Sequence, residues 1–145
     1  MSTTTSAPVI HEATAPELLG YLGMVHPKMA DLGLANSLSS LIELRVSQIN
    51  QCAYCVNMHI SDARGAGVDQ EKLDKLIVWR HVDAFSPAEK AVFAWAEALT
   101  YLSADTDYGA LRAQLRSHYS DQDITVMTTA IGMINLWNRI QISKH

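Results

Sequence analysis

Charge is scarce in this chain, and cysteine scarcer still. Only 18% of its 145 residues are charged, below the usual quarter of a globular protein, and no basic run appears. With a formal net charge of −4, the chain lacks the clustered positive footprint that general nucleic-acid binding needs. It also lacks an uninterrupted apolar run near ~18 residues, the length a membrane span requires. The most apolar part, Ile124 to Ile142, is broken by Thr, Asn and Arg, so no span is predicted. The first eight residues, MSTTTSAP, have neither the basic nor the apolar part of a secretory signal. They read as the start of a flexible leader over residues 1–13, ahead of one helical domain over 14–145, in a chain expected in the cytoplasm.

Two cysteines are present, three positions apart. In a reducing compartment such a pair is unlike a permanent staple, and closing so short a loop restricts the unfolded chain little. Redox chemistry or metal binding remains. No Asn-Gly or Asp-Gly turn joins alternating segments, and no internal repeat is visible. No nucleotide loop or flavin motif appears either, so no cofactor is assigned and reducing equivalents must arrive from another protein or a small dithiol.

What is present is helical. At 48% hydrophobic, the chain can bury the core of a single domain, and the spacing predicts an all-α bundle of six to seven helices. Thr14-Ala15-Pro16-Glu17 opens the first, His26-Pro27 interrupts it and Gly33 ends it. Asn36-Ser37 caps the second; Asn50 caps a third that carries the cysteines and stops at Gly65-Ala66-Gly67. Asp69 caps a short helix, Ser86-Pro87-Ala88-Glu89 is a capping box, Thr106 starts another helix, and Ser120 caps the last. That last helix is apolar around most of its circumference, more than one neighbouring surface covers. Burial between subunits is the simple expectation, and the shortage of charge agrees with it.

Cys52-Ala53-Tyr54-Cys55-Val56-Asn57-Met58-His59 is the stretch nearest to chemistry. On a helix, positions i, i+3 and i+7 share a face, so two thiols and an imidazole stand together. A helix amino end and a proton-accepting imidazole both favour the nucleophilic thiolate. The second cysteine gives a sulfenic acid something to condense with. The alternative is a redox-sensing or zinc-binding oligomer whose pair switches assembly or partner binding; for a zinc site built on Cys52, Cys55 and His59, a second Cys-x-x-Cys or a His pair is missing. The imidazole of a relay needs a group to orient it. Glu43 is the candidate, a carboxyl among apolar neighbours on the preceding helix, where it is awkward unless paired. The bland reading is a solvated glutamate partnered by Arg45 or a lysine. Tyr54, Met58 and Trp137 read as core rather than as substrate contacts.

The segment IELRVSQINQCAYCVNMHISDARGAGV resembles the core of the alkylhydroperoxidase D-like proteins of the carboxymuconolactone decarboxylase superfamily. Trp79-Arg80, the Ser86 box leading into AVFAWAEALT, and INLWNRI extend the likeness over roughly residues 15–142. It implies an all-helical fold, homotrimers or homohexamers, and thiol-dependent reduction of a small hydroperoxide with an external dithiol or thiol reductase as donor. By position it makes Cys55 the peroxide-reactive cysteine, Cys52 its disulfide partner and His59 the relay histidine. The family's relay glutamate commonly stands twelve residues before the first cysteine, where this chain has Ser40. Glu43, one turn later, is the candidate substitute; the alternative is that Ser40 and a water complete the relay less effectively. The superfamily's lactone decarboxylases manage without a dithiol, so the intact pair favours the redox branch.

Overall fold

The computed structural model describes residues 5–145. These form nine α-helices, one 3-10 helix and no strand. In order they are α1 His11–Thr14, α2 Pro16–Gly23, α3 Val25–Asp31, α4 Asn36–Ile49, α5 Ala53–Gly65, α6 Gln70–Lys75, the 3-10 helix Leu76–His81, α7 Pro87–Tyr101, α8 Tyr108–Arg116 and α9 Asp121–Ile142. The predicted first helix is divided at Met24 into α2 and α3, with Pro27 inside the first turn of α3, where its missing N–H costs nothing. Part of the predicted leader is helical: α1 lies against the end of α9, with His11 Nε2 2.8 Å from Ser143 Oγ and Lys144 Nζ 2.8 Å from Glu12. The first four residues of that leader lie outside the described ones.

The capping box at Ser86 forms, and the cap at Ser120 is a box as well, each serine accepting from the N3 backbone N–H while the N3 acid accepts from the serine's own N–H. Other caps differ from expectation, and Asp69 precedes α6 without a side-chain cap bond. Asp107 rather than Thr106 caps α8. The N-terminus of α4 follows Ala35, and no side chain caps it. Asn50 closes α4 instead of opening α5; its amide donates to Asn135 and Asn138 of α9, and Cys52 takes the cap. Between them Gln51 adopts the left-handed conformation, φ 57°, which turns the chain sharply enough for Cys52 to begin a new helix.

Helix α4 is the hub. Ile42 and Val46 on one side join Val92, Ala96, Leu115, Met127, Ile131 and Ile134 of α7, α8 and α9 in one core cluster. Leu41 and Leu44 on another join Ala63, Leu76, Trp79, Phe85 and Phe93 in a second. Full burial of each such side chain contributes about 1.5–3 kcal/mol. The remaining stripe of α4 is polar, Ser40, Glu43 and Ser47 at i, i+3 and i+7, and it faces partners rather than water. Helix α9 packs on α3, α4, α5, α7 and α8, so its broad apolar circumference is covered to a large extent within one chain. The apolar side chains left outside lie elsewhere, among them Leu18 and Tyr21 of α2, Met24 after it, and Ile77 and Val78 of the 3-10 helix.

Candidate active site

Cys52 and Cys55 are joined by a disulfide across the first turn of α5. Cys52 is the N-cap of that helix, and its Sγ accepts a hydrogen bond from the Cys55 backbone N–H at 3.3 Å. A sulfur thus occupies the place where a helix presents unpaired N–H groups, the position that favours a thiolate once the pair is reduced. The face predicted from spacing exists and points inward: Cys52 is 0%, Cys55 1% and His59 4% exposed.

The imidazole of His59 is held from α4. Its Nδ1 lies 2.9 Å from Glu43 Oε2, while Ser39, one turn before Glu43 on α4, donates to Glu43 Oε1 at 2.6 Å. Burial pushes the Glu43 carboxyl up, but hydrogen bonds from His59 and Ser39, with the nearby His59 and His26, outweigh it and hold the group below the ordinary carboxylate value. Carboxylates only accept, so Nδ1 carries the ring proton. That leaves Nε2 as the basic nitrogen, and it is buried without a hydrogen-bond partner among the described residues. A buried acceptor left unpaired is costly, and here it sits on the helix face of the cysteines.

Two sequence expectations for this corner are corrected or refined. Ser40 donates its hydroxyl to the Asn36 carbonyl at 2.7 Å, and it is Glu43 that meets the imidazole. Arg45, the bland partner for Glu43, is committed to Glu97 through Nε at 3.0 Å and Nη2 at 2.9 Å. The zinc set Cys52, Cys55 and His59 is not the set that surrounds Nδ1. That nitrogen has carboxylates around it, Glu43 and, at 3.2 Å, Asp62 of the same helix. Ligand atoms of these three residues lie within 4.8 Å of one another, close enough to share a cation as well as a proton. Sequence reading missed Asp62, although its i+3 spacing from His59 was a usable signal.

A cavity of about 350 Å³ reaches Cys55, with His59, Glu43 and Asp62 also among its lining residues. Tyr54 and Met58, expected in the core, line it instead and are exposed, while Trp137 packs against the core cluster as expected and also lines the cavity. The Trp137 indole donates to His26 Nε2 at 2.8 Å, closing one side of the cavity. A second polar cluster, also unforeseen, lies on the other side of α4: Glu97 is 9% exposed and accepts from Trp79 at 2.9 Å, from Arg45, and from Arg80 at 3.0 Å. Burial pushes the Glu97 carboxyl up, and these three donors pull it below its ordinary value. This cluster ties the 3-10 helix to α4 and α7; it does not touch the cysteines.

Residues 20–98 match the model of the carboxymuconolactone decarboxylase family. The chain belongs to that family. It is an AhpD-like member, with an all-helical fold. Among relatives, the uncharacterized protein YdfG of Bacillus subtilis is 38% identical over 103 residues, 71% of this chain and 70% of that one. The uncharacterized YnjA of Escherichia coli is 32% identical over 100 residues, 67% of this chain but only 53% of its own length. In three dimensions the chain is similar to ATU0492 of Agrobacterium tumefaciens, a protein of unknown function considered a candidate antioxidant defence protein AhpD. The TM-score is 0.88 at 31% identity, over 96% of this chain and 95% of that one. An uncharacterized peroxidase-related protein of Silicibacter sp. TM1040 gives a TM-score of 0.77 at 25% identity, over 94% and 74%. The debrominase Bmp8 shares the fold with a TM-score of 0.80 at 20% identity, over 91% and 71%. Among the described residues of this family member, no helix is long and apolar enough to cross a membrane.

Proposed function

We propose that this chain is a thiol-dependent peroxidase that reduces small hydroperoxides through a dithiol/disulfide cycle of Cys55 and Cys52. The observation that carries this reading is one helix face holding the bonded cysteine pair and His59, with Glu43 at 2.9 Å from Nδ1, beside a cavity that reaches Cys55. The names of the Agrobacterium and Silicibacter proteins, an antioxidant candidate and a peroxidase relative, support it.

In the reduced protein, His59 Nε2 takes the Cys55 proton, and the thiolate attacks the hydroperoxide. A sulfur–oxygen bond forms as the oxygen–oxygen bond breaks. The departing alkoxide takes the proton from His59 and leaves as an alcohol. Cys52 then attacks the sulfenic sulfur of Cys55, expelling water and forming the disulfide. An external dithiol, acting through a mixed disulfide, returns both thiols. Glu43 keeps the imidazole oriented and stabilises its protonated form. We place this activity in the reducing cytoplasm, and in a homotrimer or homohexamer that covers the exposed apolar side chains of α2 and the 3-10 helix.

The test is peroxide added to reduced protein, followed by mass spectrometry of the Cys52–Cys55 peptide, with turnover driven by dihydrolipoamide. The expected result is peroxide-dependent disulfide formation and peroxide consumption that is lost in both Cys55→Ser and Cys52→Ser. Turnover that survives both substitutions overturns the reading.

A further inference from the structure

One imidazole N–H faces two carboxylates here, and the rest of the fold holds only one of them in place. Glu43 is 15% exposed in its side chain and is fixed by Ser39. Asp62 stands on α5 itself, one turn after His59, with its side chain 52% exposed. No lysine or arginine pairs with it, and His59 Nδ1, at 3.2 Å, is its one side-chain hydrogen-bond partner among the described residues. Asp62 also borders both cavities that meet at the site, the one over Cys55 and a second of about 500 Å³ reached from the α3 side. Glu43 is the buried support of the imidazole, and Asp62 is where that support meets water.

We propose that Asp62 is a second positioning residue for His59, keeping the ring proton on Nδ1 and Nε2 free as the base, and stabilising the imidazolium from its solvent side. The proposal rests on the thiol reading above. When the Cys55 proton moves to Nε2, the ring becomes a cation whose Nδ1–H lies between two anions; when that proton passes to the departing alkoxide, the ring is neutral again. In this scheme the proton moves only between Cys55, His59 and the departing alkoxide. The other titratable groups around His59 are Glu12 of α1, His26 of α3, Glu43 of α4, and Tyr54 and Cys55 on its own helix, while α9 brings Ile134, Trp137 and Gln141, none of them charged.

A second anion near the ring favours the thiolate–imidazolium pair, so its removal must raise the pH at which the Cys55 thiolate appears. The experiment is the pH dependence of Cys55 alkylation by iodoacetamide in reduced Cys52→Ser protein, with and without Asp62→Asn. Because Asp62 is half exposed, water screens part of the effect; the midpoint is expected to rise by about half a unit to one unit. That corresponds to roughly three- to tenfold less thiolate below the midpoint, and Asp62→Glu restores most of it. A midpoint that stays in place overturns the proposal, including the case where reactivity falls equally at every pH, as a merely structural role would produce. Alkylation needs no peroxide chemistry. A shifted midpoint in a protein that peroxide fails to oxidise therefore leaves Asp62 in its role and removes the peroxidase reading alone.

Discussion

Replacing Glu43 by Gln removes one negative charge 2.9 Å from His59 Nδ1 while keeping the shape of the side chain. The His59 and Glu43 side chains are only 5% and 15% exposed, so solvent screens the pair little. A hydrogen bond to a charged group contributes about 1.5–3 kcal/mol, and Gln retains a carbonyl oxygen that Nδ1–H and Ser39 compete for. Asp62 stays in reach at 3.2 Å and keeps part of the imidazolium stabilisation. The expected loss therefore falls at the lower end, about 1.5–2 kcal/mol, which is roughly a 10- to 30-fold slower oxidation of the reduced pair at neutral pH. Stopped-flow mixing with peroxide measures it, with intrinsic tryptophan fluorescence as the signal, since Trp137 lines the same cavity as Cys55. Circular dichroism and a thermal melt separate this loss from unfolding. A change smaller than about twofold refutes the argument, because a charge this close and this poorly screened cannot be silent if His59 handles the proton.

Further expectations concern stability. Glu97→Leu strips Trp79 and two arginines of their acceptor and leaves Arg45, 11% exposed in its side chain, as a buried unpaired charge. The expected cost is about 3–5 kcal/mol by urea denaturation, with most of it recovered by adding Arg45→Met; a loss under about 1 kcal/mol contradicts the burial. Glu43 and Glu97 both have carboxyls held below the ordinary 4.5, so the unfolded chain binds their protons first as pH falls. Their stabilisation is complete above that value and is lost as pH drops through the lower folded values, and Glu97→Gln flattens this acid loss in a stability-against-pH series. Asn138 is 0% exposed, donates to Ser47 at 3.0 Å and accepts from Asn50. Asn138→Ala leaves both partners short and is expected to cost about 1–3 kcal/mol in the same urea assay.

The local grammar of this chain is legible without coordinates. Capping boxes at Ser86 and Ser120 and the stops at Gly33 and Gly65-Ala66-Gly67 are short-range hydrogen-bond patterns, so they hold whatever the rest of the chain does. The shared face of Cys52, Cys55 and His59 follows equally from helical periodicity, because one turn of a helix fixes which residues are neighbours. What crosses between helices is different. Whether Glu43 meets His59 or Arg45, why Asn50 turns to α9 and leaves the α5 cap to Cys52, and where Glu97 finds its three donors depend on how α4 lies against α5, α7 and α9. So does the placing of Tyr54 and Met58 on a cavity wall instead of in the core. Sequence spacing determined the shared face of Cys52, Cys55 and His59; tertiary packing chose the acid beside it, because a partner for a buried charge is selected by geometry across helices that no local pattern encodes.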